Sequence, residues 1–359
     1  MTRPLRARIQ LHALTHNLAR VRRLAPASRV MAVVKADGYG HGLGPVAGAL
    51  ADADAFGVTT LDEALALRAA LPAARVVLLE GHFHRDELGV VMEHGLDLVV
   101  HQARQVEELE AVTAAAGLGV WLKVDTGMSR LGFAPAEVAC HWQRLRDAPA
   151  VADDIVFMTH LACADDRDDP MSVGQQMRLV EARGELPGAC SIANSAGIAG
   201  WPDSHHEWVR PGIMLYGVSP LQGVTAAGLG LVPAMALESR LIEVRHCRAG
   251  ATVGYGATFR CPEAMPVGVV AAGYGDGYPR HAPSGTPVLV DGHRVPLAGR
   301  VSMDMITVDL RTRPHTRIGD PVELWGPGLP VAEVAGAAGT IAYELLCGVA
   351  PRVPREYVE

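Results

Sequence analysis

Short apolar runs alternate with helix-like segments from residue 30 to about residue 215 of the 359-residue chain. The runs are rich in valine and contain few polar residues, which is typical of parallel strands buried on both faces. Eight strands are predicted, at residues 30–35, 55–58, 76–79, 96–100, 120–124, 155–160, 191–194 and 212–216. Eight strands with intervening helices favour a (β/α)8 TIM-type barrel, and a doubly wound open sheet is the alternative.

The pattern changes after about residue 230, where helical periodicity fades. Short β-rich runs separated by turn pairs such as Asp291-Gly292 take its place. We therefore predict two domains, an α/β barrel over residues 1–230 and a mostly-β C-terminal domain over residues 231–359. A chain of 359 residues is long enough for two domains of ordinary size.

Composition and charge argue against several classes of function. The net charge of −7 and the pI near 6.1 disfavour nucleic-acid binding, which needs a basic surface. No apolar run of about 18 residues predicts a membrane span. The N-terminus lacks an apolar signal segment, and apolar residues at positions 11, 14, 18 and 21 predict a helix there. Six scattered cysteines fit reduced thiols in a cytoplasmic protein, and no metal site is predicted.

Lysine is scarce in this chain, and one of its lysines lies at a strand end. Lys35 and Lys123 are the only lysines among the 32 lysine and arginine side chains, so all the others are arginine. Lys35 follows the first predicted strand and precedes a turn with three glycines. A desolvated lysine can form a Schiff base, whereas arginine cannot. The ordinary alternative is a lysine that serves only as a cation.

Other polar residues also follow predicted strands. In a barrel the carboxyl ends of all the strands lie on one rim, where active sites form. Besides Lys35, the residues at or just after predicted strand ends are Lys123, Asp125, His160, Asn194 and Ser195, and Arg210 flanks the eighth predicted strand. A single strand-end histidine is often structural, but several such residues on one rim together indicate a site.

The segment at residues 32–42 closely resembles the pyridoxal-phosphate lysine motif of bacterial alanine racemases. Further segments resemble motifs of the same family in the expected order, at 123–133, 158–162, 194–196, 210–217, 254–259, 273–277, 299–304 and 343–346. The resemblance implies interconversion of L-alanine and D-alanine by two-base racemisation, with pyridoxal 5'-phosphate as cofactor. It also implies a homodimer in which the C-terminal domain contributes Tyr255 and Met303 to the partner's site.

The resemblance also implies residue roles. Lys35 carries the cofactor as a Schiff base and acts as one acid/base, while Tyr255 acts as the other. His160 and Arg210 lie near Tyr255, and Arg210 faces the pyridine nitrogen. The implied phosphate ligands are Tyr39, Ser195, Gly212, Ile213 and Tyr343.

The resemblance also implies residues that bind the substrate. Arg130 and the backbone of Met303 contact its carboxylate. In several family members the lysine equivalent to Lys123 is carbamylated and could orient Arg130; the alternatives are a plain ion pair with Asp125 or no partner at all. The implied residues of the substrate entrance are Asp165, Tyr274, Arg280, Arg300 and Ile341.

Three other functions stay open from the sequence. A racemase or decarboxylase for another amino acid could use the same fold. A non-catalytic pyridoxal-phosphate carrier would resemble the barrel domain alone. A barrel aldolase could use Lys35 without a cofactor. The sequence does not separate a role in cell-wall synthesis from one in alanine catabolism.

Overall fold

The computed structural model describes residues 3–359, which divide into two compact units. The barrel unit contains residues 14–38 and 43–231, and the sheet unit contains residues 3–13, 39–42 and 232–359. Strand β1 (Arg6–Gln10) lies in the sheet unit, so the N-terminal segment is a strand before it becomes the predicted helix, Leu11–Leu24.

The barrel unit is built on a closed ring of parallel strands, which confirms the predicted (β/α)8 fold. The ring closes where Val30 of β2 pairs with Val209 of β9. Within residues 3–359 its strands are β2 (Arg29–Val33), β3 (Ala55–Val58), β4 (Val76–Leu78), β5 (Asp97–Val100), β6 (Leu118–Lys123), β7 (Val151–Met158), β8 (Cys190–Asn194) and β9 (Trp208–Arg210).

Helices follow most of these strands. The helices that lie wholly in the barrel unit are Leu43–Ala49, Leu61–Ala70, Glu87–Glu93, Ala103–Glu110, Val138–Asp147, Met171–Arg183 and Ser195–Gly200. Capping side chains and glycine residues mark where some of these helices begin and end. The Thr60 side chain accepts the Glu63 N–H at 3.2 Å and caps the helix that starts at Leu61. Gly184 ends the helix Met171–Arg183 at φ 52° and ψ −130°, a backbone conformation that favours glycine.

The eighth barrel strand lies earlier in the chain than predicted. It spans Trp208–Arg210, whereas Ile213–Tyr216 forms a 3-10 turn. Pro211 has no N–H to donate to a neighbouring strand, which favours the end of the ladder at Arg210. The prediction at residues 212–216 was therefore wrong by four residues at its start, and Arg210 is the residue that ends the strand.

The interior of the barrel is filled with side chains. Trp121 and Trp208 meet edge to face, with ring centroids 5.2 Å apart, in a cluster of buried residues from the strands. The Trp121 indole donates to Asp97 at 3.1 Å, and the guanidinium carbon of Arg29 lies 4.3 Å from the Trp208 ring centroid. This packing makes the barrel a core rather than a pore, so ligands must bind at its rim.

The sheet unit confirms the predicted mostly-β character of the C-terminal region. Its central strand is β10, which pairs with β1, β13 and β17. The strands after the barrel are β10 (Met235–Cys247), β11 (Thr252–Val253), β12 (Phe259–Arg260), β13 (Met265–Val270), β14 (Pro287–Val290), β15 (His293–Pro296), β16 (Ile306–Asp309), β17 (Pro321–Trp325) and β18 (Arg355–Val358). Two helices, Val331–Ala338 and Ala342–Cys347, complete the unit. Across residues 3–359, no helix has the length and apolar character that a bilayer crossing requires.

Gly40 and Gly44 give a matched test of backbone constraint. Gly40 has a φ of +78°, and a Cβ there would lie 2.1 Å from the Leu346 carbonyl oxygen, whereas a Cβ on Gly44 meets nothing within 4 Å. We expect Gly40→Ala to destabilise the protein by about 2 kcal/mol or more, through strain and overlap. Gly44→Ala should be neutral or stabilising by about 0.5 kcal/mol. Urea unfolding of both variants checks this, and equal midpoints would contradict it.

Candidate active site

The turn after β2 presents Lys35 on a strained backbone. Ala36 and Asp37 both have φ 54°, and the positive φ values continue through residues 38–40, so five successive residues have positive φ. This conformation costs free energy for residues with a Cβ and concentrates at functional sites. The Asp37 carboxylate accepts the Leu43 N–H at 2.8 Å, which ties the turn to the start of the next helix. The half-buried Lys35 side chain is therefore held on a fixed backbone.

Cations gather around Lys123 at the carboxyl end of the barrel. Burial, followed by the positive charges of Arg210, Arg130 and Lys35, lowers the pKa of Lys123 to about 8 against the opposing effect of Glu80. Lys123 is only 7% exposed. Such a concentration of buried positive charge fits a site for anionic groups.

His160 is held neutral in the same cluster. Burial, followed by the charges of Arg210, Lys123, Arg130 and Lys35, keeps the pKa of His160 well below its usual value. The Arg210 Nη2 lies 3.5 Å from Nδ1 of His160. Because arginine can only donate, we infer that Nδ1 carries the lone pair and Nε2 the proton.

Arg210 itself is fixed by acceptors that the sequence analysis missed. Its Nη1 donates to the Ser191 hydroxyl at 2.6 Å, and its Nη2 donates to the carbonyls of Thr159 at 2.6 Å and Ile192 at 3.3 Å. The side chain is buried, which lowers the pKa of Arg210 to about 10, so it stays charged at neutral pH. Ser191 lies on strand β8, which ends at Asn194 directly before Ser195, and this position is the only signal in the sequence that could have found it.

Gln175 is a second residue that the sequence analysis missed. It is fully buried on the helix Met171–Arg183, where its Nε2 donates to the His160 carbonyl at 2.9 Å and its Oε1 accepts the Ala162 N–H at 2.8 Å. Its side chain therefore fixes the backbone on both sides of residue 161. Apolar spacing along that helix gives no indication of this role.

Hydrogen-bond donors lie close together after β8 and β9. The buried Ser195 hydroxyl accepts the Gly212 N–H at 2.9 Å, and Ile213 begins the 3-10 turn that follows. Asn194 caps the short helix from Ser195 by accepting the Gly197 N–H at 3.0 Å. A hydroxyl and neighbouring N–H groups of this kind are suited to phosphate oxygens.

The sheet unit contains the other predicted cofactor residues. Tyr39 and Tyr343 have ring centroids 6.1 Å apart. Burial, followed by the neighbouring Tyr343 and Cys347, raises the pKa of Tyr39 well above its usual value. The Tyr39 hydroxyl therefore stays protonated and keeps a proton to donate.

Tyr255 lies at the tip of the β11–β12 hairpin and is 69% exposed. Gly254 and Gly256 flank it with φ 73° and 71°, and this positive φ favours glycine at both positions. A Cβ on Gly256 would lie 3.1 Å from Nη1 of Arg300. The structure therefore brings Tyr255 and Arg300 into one region of the sheet unit.

Tyr274 and Met303 lie on two loops joined by backbone hydrogen bonds. The Tyr274 N–H donates to the Ser302 carbonyl at 3.0 Å, and the Gly275 N–H donates to the Met303 carbonyl at 2.8 Å. The Met303 side chain is 53% exposed.

The buried carboxylate of Asp276 stabilises these loops and was not predicted. It accepts two bonds from Arg3, at 2.6 and 2.8 Å, one from Arg352 at 2.8 Å and one from the Gly273 N–H at 2.9 Å. Arg352 also donates to Asp304 at 2.7 Å, next to Met303 in the chain.

Two family models match most of the chain. The family model described as "Alanine racemase, N-terminal domain" matches residues 9–220, and "Alanine racemase, C-terminal domain" matches residues 234–357. The chain belongs to the alanine racemase family.

Individual alanine racemases are similar over nearly the full length. The enzyme of Halorhodospira halophila is 57% identical, with 100% of this chain and 99% of that protein covered. The alanine racemase of Nitrosococcus oceani is 56% identical over 97% of each chain. The crystal structure of biosynthetic alanine racemase from Pseudomonas aeruginosa superposes with a TM-score of 0.97 and 49% identity, over 100% of both chains. The Bartonella henselae enzyme, solved with covalently bound pyridoxal phosphate, has a TM-score of 0.90 and 29% identity over 99% of both chains.

The remaining residues implied by the alanine racemase motifs are solvent-accessible. Arg130, Asp165, Arg280 and Ile341 all have exposed side chains. Asp165 accepts a hydrogen bond from the Gln222 amide at 2.8 Å.

The pH dependence of stability tests whether Lys123 is a buried positive charge. Because its pKa falls from 10.5 to about 8 in the folded state, the cost of the buried ammonium is fully present below pH 8. Above pH 8 the folded protein releases this proton before the unfolded chain does, so the stability of the parent rises with pH. We expect Lys123→Met to raise the free energy of unfolding below pH 8 by up to ~3 kcal/mol relative to the parent. This difference should disappear towards pH ~10.5.

Unfolding midpoints from pH 6 to pH ~10.5 in buffer free of carbon dioxide measure this effect, since bicarbonate could modify the lysine amine. Arg85→Met is the matched control, because it removes an exposed cation and should show no such trend. A pH-independent difference between Lys123→Met and the parent would contradict the prediction.

Proposed function

We propose that this chain interconverts L-alanine and D-alanine with pyridoxal 5'-phosphate bound through Lys35. The reaction is supported by full-length identity of 57% to an alanine racemase. The observation that carries the site is the concentration of positive charge around Lys123 and His160. The anionic phosphate of the cofactor and the carboxylate of the substrate are the groups that such a site would bind.

The residues present fit the cofactor. The Lys35 amine is the group that can bond to its aldehyde carbon. The Ser195 hydroxyl and the backbone N–H of Ile213 would hold the phosphate, together with the N–H of Gly212 and the hydroxyls of Tyr39 and Tyr343. Arg210 would face the pyridine nitrogen, where its permanent charge keeps that nitrogen unprotonated. When bound, the cofactor supplies the electron sink that removal of the α-proton requires.

Proton transfer needs an acid/base on each face of the substrate. Lys35 serves one face in this proposal, and Tyr255 serves the other. A free tyrosine has a pKa of about 10, which is too high for a good base near neutrality. In the assembled site Arg210 would place positive charge near Tyr255, and the neutral His160 would offer its Nε2 proton as a hydrogen-bond donor.

Arg130 and the Met303 N–H would hold the substrate carboxylate, because a guanidinium fork matches two carboxylate oxygens. A carbamylated Lys123 would carry a negative charge and orient Arg130. The alternative ion pair with Asp125 is less favoured, because an Asp125 oxygen already accepts the N–H groups of Gly127 and Ser129 at 2.9 and 3.0 Å. Asp165, Tyr274, Arg280, Arg300 and Ile341 would line the substrate entrance.

The assembly in this proposal is a two-fold homodimer in the cytoplasm. The domains are residues 1–230 and 231–359, and the second completes the partner's site with Tyr255 and Met303. Both side chains are more than half exposed in the single chain, which is unusual for large apolar groups and typical of residues that a partner covers. A match of residues 234–357 to the second family domain argues against a carrier that has only the barrel.

The Lys35→Arg variant tests the cofactor anchor. It keeps a positive charge and removes the amine chemistry. We expect loss of the visible absorption of the bound cofactor and a fall in racemisation of L-alanine of at least ~10³-fold. Chiral chromatography of the reaction and an absorption spectrum provide the measurements. Racemisation of L-alanine by Lys35→Arg at the wild-type rate would refute the assignment of Lys35 as the cofactor anchor. If the wild-type protein racemises only another amino acid, the proposed substrate is wrong.

Mixed dimers test whether sites are shared. A Lys35→Ala chain co-expressed with a Tyr255→Phe chain gives heterodimers with one doubly damaged site and one intact site. Random pairing makes about half the dimers mixed, so activity should return to roughly a quarter of wild type. Separate affinity tags isolate the heterodimers. Absence of rescue in verified heterodimers would show that Tyr255 acts within its own chain.

A further inference from the structure

The hairpin that carries Tyr255 has little intrinsic stability. Its strands β11 and β12 have only two residues each, and a short two-stranded ladder is marginal in water. Two backbone bonds close its base: the Gly250 N–H donates to the Cys261 carbonyl, and the Cys261 N–H donates to the Ala251 carbonyl, both at 2.8 Å. The position of Tyr255 therefore depends on what holds this base together.

Two cysteines flank the hairpin. Cys247 is the last residue of β10, where it pairs with Met265, and Cys261 directly follows β12. Cys261 is 1% exposed and belongs to a small buried cluster with Val253 and Met265, against which the partly buried Cys247 packs. Both thiols are free in this structure. The neighbouring thiol of Cys247 adds to burial in raising the pKa of Cys261.

We propose that Cys247 and Cys261 form a reversible disulfide that closes the base of this hairpin. The pairing rests on the packing of the two cysteines alone. Its consequence for catalysis rests on the proposed function, in which Tyr255 is an acid/base.

The oxidant in this proposal is a small-molecule disulfide such as oxidised glutathione. The half-buried Cys247 is accessible, so its thiolate attacks the small disulfide first, forms a mixed disulfide and releases one small thiol. The thiolate of Cys261 then attacks the Cys247 sulfur and releases the second small thiol. The protein loses two protons and two electrons, and the small disulfide is reduced to two thiols.

The bond would close a loop of residues 247–261 that contains the whole hairpin. A disulfide restricts the open and unfolded states of the loop it closes. We therefore expect the oxidised hairpin to open less often and to hold Tyr255 more firmly. In the reduced protein the same base is closed by backbone hydrogen bonds, by the bond from Nη1 of Arg260 to the Gly250 carbonyl at 2.8 Å, and by the packing of the buried cluster.

Oxidation of the holoenzyme with glutathione disulfide tests the proposal. Digestion without reductant should yield a peptide that links Cys247 to Cys261, lighter than its two parts by two hydrogen atoms. Hydrogen exchange of residues 248–260 should slow at least severalfold on oxidation and return with dithiothreitol. The linked peptide and the slowed exchange should both be absent in Cys247→Ser and in Cys261→Ala. Cys140→Ser, which removes an exposed cysteine elsewhere, should behave like the parent.

Two results would overturn the proposal. One is glutathione attached to Cys247 with no linked peptide, and the other is a linked peptide whose formation leaves exchange of residues 248–260 unchanged. Circular dichroism confirms that the variants are folded. Neither readout depends on turnover, so a protein that fails to racemise alanine can still form the disulfide, and an active racemase can still fail to form it.

Discussion

The buried guanidinium of Arg210 is the constraint on which the barrel rim depends. A charge that is 3% exposed is costly unless hydrogen bonds replace its hydration. Here the Ser191 hydroxyl and the carbonyls of Thr159 and Ile192 accept from it. Because these acceptors lie on or just after barrel strands, the charge is fixed by the most rigid part of the unit.

The electrostatics of the neighbouring residues follow from this fixed charge and from burial. Arg210 contributes to the lowered pKa of both Lys123 and His160, so the site contains a histidine that stays neutral and an amine of unusually low basicity. A neutral amine can react where an ammonium cannot. The remaining positive potential is what an anionic cofactor and substrate would neutralise.

The sheet unit differs from the barrel rim, because Tyr255, Tyr274 and Met303 are exposed and lie in its turns and loops. Asp276 stabilises the loops of Tyr274 and Met303 with a carboxylate that accepts four hydrogen bonds, two of them from Arg3. Breaking one member of such a buried network leaves the others unsatisfied, which makes the loop geometry cooperative. The hairpin of Tyr255 has no such buried carboxylate at its base and relies on the cluster around Cys261.

The sequence by itself determined the buried parallel strands, because they leave a continuous apolar pattern that needs no knowledge of their partners. Closure of these strands into a barrel, rather than an open sheet, is shown by the pairing of β2 with β9. The sequence also indicated Lys35, since a scarce amine at a strand end is a local chemical signal. Tertiary structure alone decided that β1 joins the sheet unit, because its five residues pair with β10 and β18, more than 200 positions away. The same holds for Ser191, Gln175 and Asp276, whose roles are to exchange hydrogen bonds with residues distant in the chain. Such roles depend on where a partner atom lies after folding, and no spacing of residues along the sequence records that position.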